Sequence, residues 1–136
     1  MTKSEELIEV GTQINMLYKK LQQLSKECLK EYAQKYGEVY KSNFISVPID
    51  NCEDFTIENN ILYWEYWQFG ETQYRSIDIT RFNLTLEELK EEKRANEENY
   101  EKQQKELIAK HKKEQNERDY KLYLELKEKF EKRFSC

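Results

Sequence analysis

The chain has 136 residues, which is short enough for a single domain, and its composition excludes several protein classes. Hydrophobic residues make up 38% and charged residues 37%, while three glycines and one proline exclude collagen-like and loop-rich sandwich folds. No apolar run approaches the ~20 residues of a membrane span, so we expect a protein that does not bind a membrane. The three cysteines are odd in number and have no CxxC spacing, which argues against a disulfide framework or a zinc site and indicates reduced thiols in a cytoplasmic protein.

The net charge of −4 originates in the middle of the chain. Residues 41–84 hold three basic and seven acidic side chains, whereas the opposite charges cancel within 1–40 and within 85–136. An acidic segment is a poor ligand for a phosphate backbone. We therefore predict one domain of three parts, which are a coiled-coil-like helix in 1–40, an acidic β module in 41–84 and a long helix in 85–136.

The N-terminal part has the pattern of an amphipathic helix, predicted over 3–36. Thr2 and Glu5 form a capping box at its start. Apolar residues then follow at alternating steps of three and four, and together they form what we call the heptad stripe: Leu7, Val10, Ile14, Leu17, Leu21, Leu24 and Cys28. Such a stripe packs against another helix, either in the same chain or in a second copy. We expect its first six residues to mediate self-association into a homodimer or higher oligomer.

In the middle part the apolar period changes to two, which is typical of β-strands. Asn59-Asn60 and Gly70-Glu71 suit two-residue turns, and they predict a three-stranded antiparallel meander within 54–81. Folding both turns pairs Trp64 with Ile77 and gathers one apolar face, which consists of Phe55, Ile57, Leu62, Trp64, Tyr66, Ile77 and Ile79. We expect this face to pack on one or both helices.

The opposite sheet face, called the outer face below, mixes aromatic and acidic residues. Aromatic anchors bordered by carboxylates suit a protein partner with a basic surface. The predicted partner-binding residues are Tyr63, Glu65, Trp67, Phe69, Tyr74 and Asp78. The alternative interpretation is that helices or a second subunit cover this face.

The C-terminal helix is predicted over 85–133, because a capping box at Thr85 and Glu88 precedes a stretch without glycine or proline. Apolar residues near both ends predict that the helix packs there and is solvated between them. Its basic residues within 110–133 make nucleic-acid binding an alternative function, although acidic residues interrupt them.

Candidates for catalysis are few. His111 is the single histidine, and its lysine neighbours indicate a solvated position on the helix. Asp50, Glu53 and Asp54 lack the alternating pattern of a calcium loop. We predict that the protein is not an enzyme and that it has no catalytic residue, cofactor or metal.

The predicted fold class is α+β, with two long helices flanking a three-stranded antiparallel meander. This arrangement resembles the β-type prefoldin subunit, which implies a chaperone-like or structural coiled-coil assembly. The chain departs from that pattern in residues 90–106, which lack an apolar stripe that could pair with the heptad stripe of the first helix. The small size, mild acidity and Lys/Glu/Asn-rich composition are similar to those of phage-encoded inhibitors, including anti-CRISPR proteins. The favoured function is a non-catalytic protein-binding module that inhibits a host nucleic-acid-processing complex.

Overall fold

The computed structural model describes residues 1–134 and confirms the predicted α+β architecture. Helix α1 (Lys3–Tyr40) precedes strands β1 (Glu53–Glu58), β2 (Ile61–Gln68) and β3 (Glu71–Asp78), and helix α2 (Leu86–Phe134) follows. Short 3₁₀ turns lie at Ile49–Asn51 and Ile79–Asn83. The antiparallel sheet has the order β1-β2-β3. Within residues 1–134, no helix is long and apolar enough to cross a membrane.

The helix starts follow the capping signals in the sequence. The Thr2 hydroxyl accepts a hydrogen bond from the Glu5 backbone N–H at 3.2 Å. At the second helix, the Thr85 hydroxyl accepts from the Glu88 N–H at 3.1 Å, and the Glu88 carboxylate accepts from the Thr85 N–H at 3.3 Å. Helix α1 ends four residues later than the predicted residue 36, at a left-handed Lys41 whose N–H donates to the Gly37 carbonyl.

The first predicted turn is correct and the second is displaced by one residue. Asn59 and Asn60 both have positive φ, as a two-residue hairpin turn requires. The second turn uses Phe69-Gly70, which also have positive φ at both positions, instead of Gly70-Glu71. Trp64 consequently pairs with Arg75, and the prediction that it pairs with Ile77 is wrong by two residues.

The core lies between the inner sheet face and the C-terminal half of α1, with one residue from the start of α2. Five of the seven predicted inner-face residues are buried; the core consists of Leu29, Tyr32, Val39, Cys52, Phe55, Leu62, Trp64, Tyr66, Ile77 and Leu89. Ile57, near the end of β1, is 52% exposed, and Ile79 is half-buried in the 3₁₀ turn after β3. The prediction that the apolar face packs on a helix is therefore correct, except at these two positions.

A polar cluster joins α1, the second 3₁₀ turn and the first turns of α2. The Arg81 guanidinium donates to the Tyr32 hydroxyl at 2.9 and 3.1 Å and to both carboxylate oxygens of Glu92 at 2.9 and 3.0 Å. The Tyr40 hydroxyl donates to Glu92 at 2.7 Å. We call these four residues the Arg81 cluster.

The chain divides into two compact units, residues 1–93 and residues 94–136, with the division inside α2. The first unit contains the core, including the fully buried Leu89. In the second unit every side chain from 94 to 133 is exposed, including Leu107, Leu126 and Phe130. The prediction that α2 packs at both ends is thus right at its start and wrong toward its C-terminal end.

Candidate functional site

The strand register places five of the six predicted partner-binding residues on the outer face, and Phe69 lies in the turn beside it. Tyr63 and Trp67 lie on β2 with Glu65 between them, and Tyr74 of β3 is directly opposite Glu65. The three aromatic side chains therefore occupy neighbouring positions, because residues two apart on a strand share a face and diagonal cross-strand neighbours lie within reach of long side chains. The sequence prediction and the structure agree on the residues of this face, since a two-residue change of register keeps every side chain on its side.

The outer-face aromatic residues are exposed. Tyr63 is 42% exposed, Trp67 67% and Tyr74 72%. A shallow depression lies between Tyr63 and Tyr74, and Arg75 and Ser76 also line it. Large exposed aromatic groups that neighbour one another are typical of binding surfaces.

Acidic side chains border the aromatic ones. Glu53 pairs with Glu65 across β1 and β2, while Glu58 and Asp78 lie at the far end of the same face. Over the strand positions of this face, all of which the structure describes, there is no lysine or arginine. Arg75 belongs to the inner face, where its guanidinium lies 5.5 Å from the centre of the Tyr66 ring. The strand positions of the outer face therefore combine exposed aromatic rings with acidic and no basic side chains, although Arg75 reaches the edge of the depression between Tyr63 and Tyr74.

Three of the carboxylates form a close group at a bulge in β1. The pairing of β1 with β2 shifts between Glu53 and Thr56, and Asp54 within this bulge has a φ of 56°. Oxygen atoms of Glu53, Asp54 and Glu65 lie within 4.8 Å of one another. A hydrogen bond with Asp54, some burial and the charges of Asp54 and Glu53 raise the pKa of Glu65.

These three oxygens are hard ligands of the kind that Ca²⁺ and Mg²⁺ prefer, but they are only a partial set for either ion. Asp50, which the sequence grouped with Glu53 and Asp54, instead forms an ion pair with Lys30 at 2.8 Å. That ion pair lowers the pKa of Asp50.

Asp78, the remaining predicted acidic residue, is engaged locally. Its carboxylate accepts hydrogen bonds from the Thr80 N–H at 2.9 Å and from the Thr80 hydroxyl at 2.7 Å. These bonds lower the pKa of Asp78 and start the 3₁₀ turn. Asp78 lies on the outer face as predicted, and it also caps this turn.

Phe69 occupies the turn between β2 and β3 beside Trp67. It is 88% exposed, and its φ of 56° lies in the left-handed region. A bulky residue is uncommon there, since the side chain crowds its own backbone at a cost of roughly 1–2 kcal/mol. The turn therefore exposes a large aromatic ring at a position where asparagine or glycine would fold more easily.

Other predicted residues lie outside this face. Most of the heptad stripe is exposed along α1, and Cys28 at its end is half-buried. Burial raises the pKa of the Cys28 and Cys52 thiols, which makes both less nucleophilic. His111 is exposed on α2. Cys136 lies outside the described residues.

Sequence reasoning missed two contacts that position the site. The Gln22 side-chain amide pairs with the backbone of Phe55, accepting from its N–H at 2.8 Å and donating to its carbonyl at 2.9 Å. Tyr18 donates to Asp54 at 3.3 Å. Both contacts join α1 to the bulge of β1. The sequence signal for them is weak: Gln22 and Tyr18 are polar residues on the side of α1 that packs on the sheet.

No protein-family model, no curated protein and no solved structure matches this chain.

Proposed function

We propose that this protein is a non-catalytic protein-binding module, and that its outer face binds a basic surface on another protein. The observation that carries the proposal is the group of exposed aromatic residues, Tyr63, Trp67 and Tyr74, on a sheet face whose strand positions hold acidic and no basic side chains. Aromatic residues dominate the energetics of protein interfaces because they bury large areas at low entropic cost. The carboxylates favour a positively charged partner and speed its association.

A protein surface that binds nucleic acid has the required charge. Binding there would compete with the nucleic acid, so the module would act as an inhibitor of its partner. The raised pKa of Glu65 adds a pH dependence to this interaction. Below that pKa the carboxyl is protonated and attracts a cationic partner less, so partner affinity should rise as the pH rises through it.

The first experiment compares three forms of the full-length protein in capture from a cell lysate followed by quantitative mass spectrometry. The test form carries Trp67→Ala and Glu65→Lys. The matched control carries Tyr100→Ala and Glu101→Lys on α2, where Tyr100 is 63% exposed and thus comparable with Trp67. A genuine partner is retained by the wild type and by the control but lost by the test form.

The affinity of the purified partner then measures the loss. Removing the Trp67 side chain and reversing the charge at Glu65 should together weaken partner binding by about 100-fold or more. The melting temperature should change by no more than a few degrees, since Trp67 is 67% exposed and the half-buried Glu65 lies beside two other carboxylates rather than in the core. Equal capture by all three forms would refute the proposed face, and severe destabilisation by the two changes would show that the strip has a structural role.

Direct nucleic-acid binding is the contrasting outcome. It would appear as affinity for DNA or RNA that falls steeply with salt and is lost in Lys112→Glu with Lys113→Glu. That result, with the outer face irrelevant, would favour the basic helix over the acidic sheet.

A further inference from the structure

The heptad stripe on α1 is separate from the helix face that packs on the sheet. Five of its first six residues are between 44% and 73% exposed, and Leu21 is half-buried. The sheet-facing side of α1 instead uses Ser25, Leu29 and Tyr32, which are spaced by four and three residues and are buried. The core of residues 1–93 therefore leaves the stripe available to a partner helix.

We propose that the stripe pairs with the stripe of a second copy in a parallel, in-register, two-stranded coiled coil. An apolar repeat of 3.5 residues over three heptads matches a helix with the same repeat, because only then do the side chains of both helices interdigitate along the whole contact. Residues 90–106 of α2 have no such repeat. The α1 helix of a second copy has the matching repeat.

The charges beside the stripe favour the parallel direction. With Leu7 at heptad position a, the g positions that flank the first two heptads are Glu6 and Gln13, and a parallel partner places its Gly11 and Tyr18 opposite them. These pairs contain no like charges. An antiparallel pairing that sets Leu7 opposite Leu24 brings Glu6 near Glu27 of the second copy, which is repulsive.

The area that the pairing can bury indicates a weak dimer. Fully burying a Leu-sized side chain removes on the order of 100 Å² of apolar surface from water. Six such residues, about half of whose surface is still exposed, contribute roughly 600 Å² over both copies, and the flanking stems add to this. Because a stable interface buries at least about 1,000 Å² in total, we expect dissociation constants in the micromolar range.

Sedimentation equilibrium on the full-length protein, from about 1 to about 100 µM, tests the pairing. The chain mass is 16.7 kDa, and the wild type should approach twice that value at the upper concentration. Leu17→Asp should keep the monomer mass throughout. Met16→Asp is the matched control, since both residues are 66% exposed but Met16 lies off the stripe, and it should dimerise like the wild type.

Circular dichroism shows whether Leu17→Asp still folds. Because the substitution alters an exposed position, the variant should retain the helical signal of the wild type. A wild type that stays monomeric at about 100 µM overturns the proposal. A mass above two chains, or equal weakening by both aspartate variants, overturns it as well.

Cysteine cross-linking tests the direction. In a background carrying Cys28→Ser and Cys136→Ser, Val10→Cys should form a disulfide-linked dimer with oxidised glutathione, because Val10 faces itself in a parallel pair. An antiparallel pair places Val10 opposite Leu21 of the second copy. Cross-linking only when Leu21→Cys is added would therefore overturn the parallel arrangement.

Discussion

Replacing Arg81 with methionine should destabilise the protein strongly for a change of a partly exposed charge. Arg81 donates four hydrogen bonds, two to the Tyr32 hydroxyl and two to the Glu92 carboxylate. Methionine keeps much of the aliphatic volume and removes all four. Tyr32 is 2% exposed, so its hydroxyl loses its partner where water has little access.

The magnitude follows from these two losses. An unsatisfied buried hydroxyl costs about 1–3 kcal/mol, and hydrogen bonds to a charged group contribute about 1.5–3 kcal/mol. The second contribution is reduced here, because the side chains of Arg81 and Glu92 are each about one-third exposed and water can replace part of the interaction. We therefore expect a loss of about 3 kcal/mol in the free energy of unfolding. With a urea dependence of about 2 kcal/mol/M, the unfolding midpoint should fall by about 1.5 M.

Arg94→Met is the matched control, since Arg94 also pairs with a glutamate, Glu98, but on an exposed helix surface. Pairs of that kind contribute about 0.3–0.5 kcal/mol, so the control midpoint should move by about 0.2 M. Equal shifts for Arg81→Met and Arg94→Met would refute the argument that burial of the Tyr32 hydroxyl makes the Arg81 cluster costly to break.

The same cluster has a pH dependence with a definite sign. The Arg81 guanidinium, helped by the Tyr40 hydroxyl and opposed by burial, holds the pKa of Glu92 below its ordinary value of 4.5. A carboxyl with a lowered pKa in the folded state stabilises the fold above about pH 4.5, and this stabilisation is lost as the pH falls further. The stability difference between wild type and Glu92→Gln should therefore be full near neutral pH and should shrink in acid. Glu98→Gln should show a smaller difference near neutral pH, because Glu98 pairs on an exposed helix surface, and a gap between wild type and Glu92→Gln that widens in acid would contradict the assignment.

Two further predictions concern the positions that shape the outer face. Gln22→Ala should lower the free energy of unfolding by about 1–3 kcal/mol, because it breaks both hydrogen bonds to the Phe55 backbone. The control Gln23→Ala should lower it by less than about 0.5 kcal/mol. Equal urea midpoints for the two variants would contradict this prediction. Phe69→Asn should raise the free energy of unfolding by up to about 1 kcal/mol, because asparagine is less strained in the left-handed region. The same change should weaken partner binding, because it removes an exposed aromatic ring. A loss of stability, or an unchanged affinity, would count against the proposed role of Phe69.

The sequence predicted the elements of the fold because their signals are local. Capping boxes at Thr2 and Thr85 set the helix starts, and Asn59-Asn60 set the first hairpin. The register of β3 was wrong because a two-residue shift leaves the apolar alternation unchanged, so the pattern cannot distinguish the two registers. Only the backbone of the Phe69-Gly70 turn decides between them.

Contacts between distant segments had no comparable signal. Arg81 meets Tyr32 across 49 residues, and Gln22 meets Phe55 across 33. Arg81 and Gln22 are polar, and a sequence pattern would be interpreted as placing both side chains in solvent. The carboxylate group at the bulge was only half predicted for the same reason, since Glu65 joins Glu53 and Asp54 through strand pairing.

The structural core and the two proposed interfaces use different side chains of the same elements. The inner sheet face packs on the Leu29 side of α1, whereas the outer face and the heptad stripe present exposed apolar groups. Because exposed groups contribute little to folding, changes at Trp67 or Leu17 should abolish the proposed binding without unfolding the chain.

A hydrogen bond from Tyr18 to Asp54 joins a residue flanking the stripe to the carboxylate group beside the outer face. Burial and the charge of Asp54 raise the pKa of Tyr18, so its hydroxyl stays protonated and keeps donating to that carboxylate over the neutral range. This contact therefore positions Asp54 from the helix that carries the stripe, and it would connect the proposed pairing of two α1 helices with the acidic edge of the outer face.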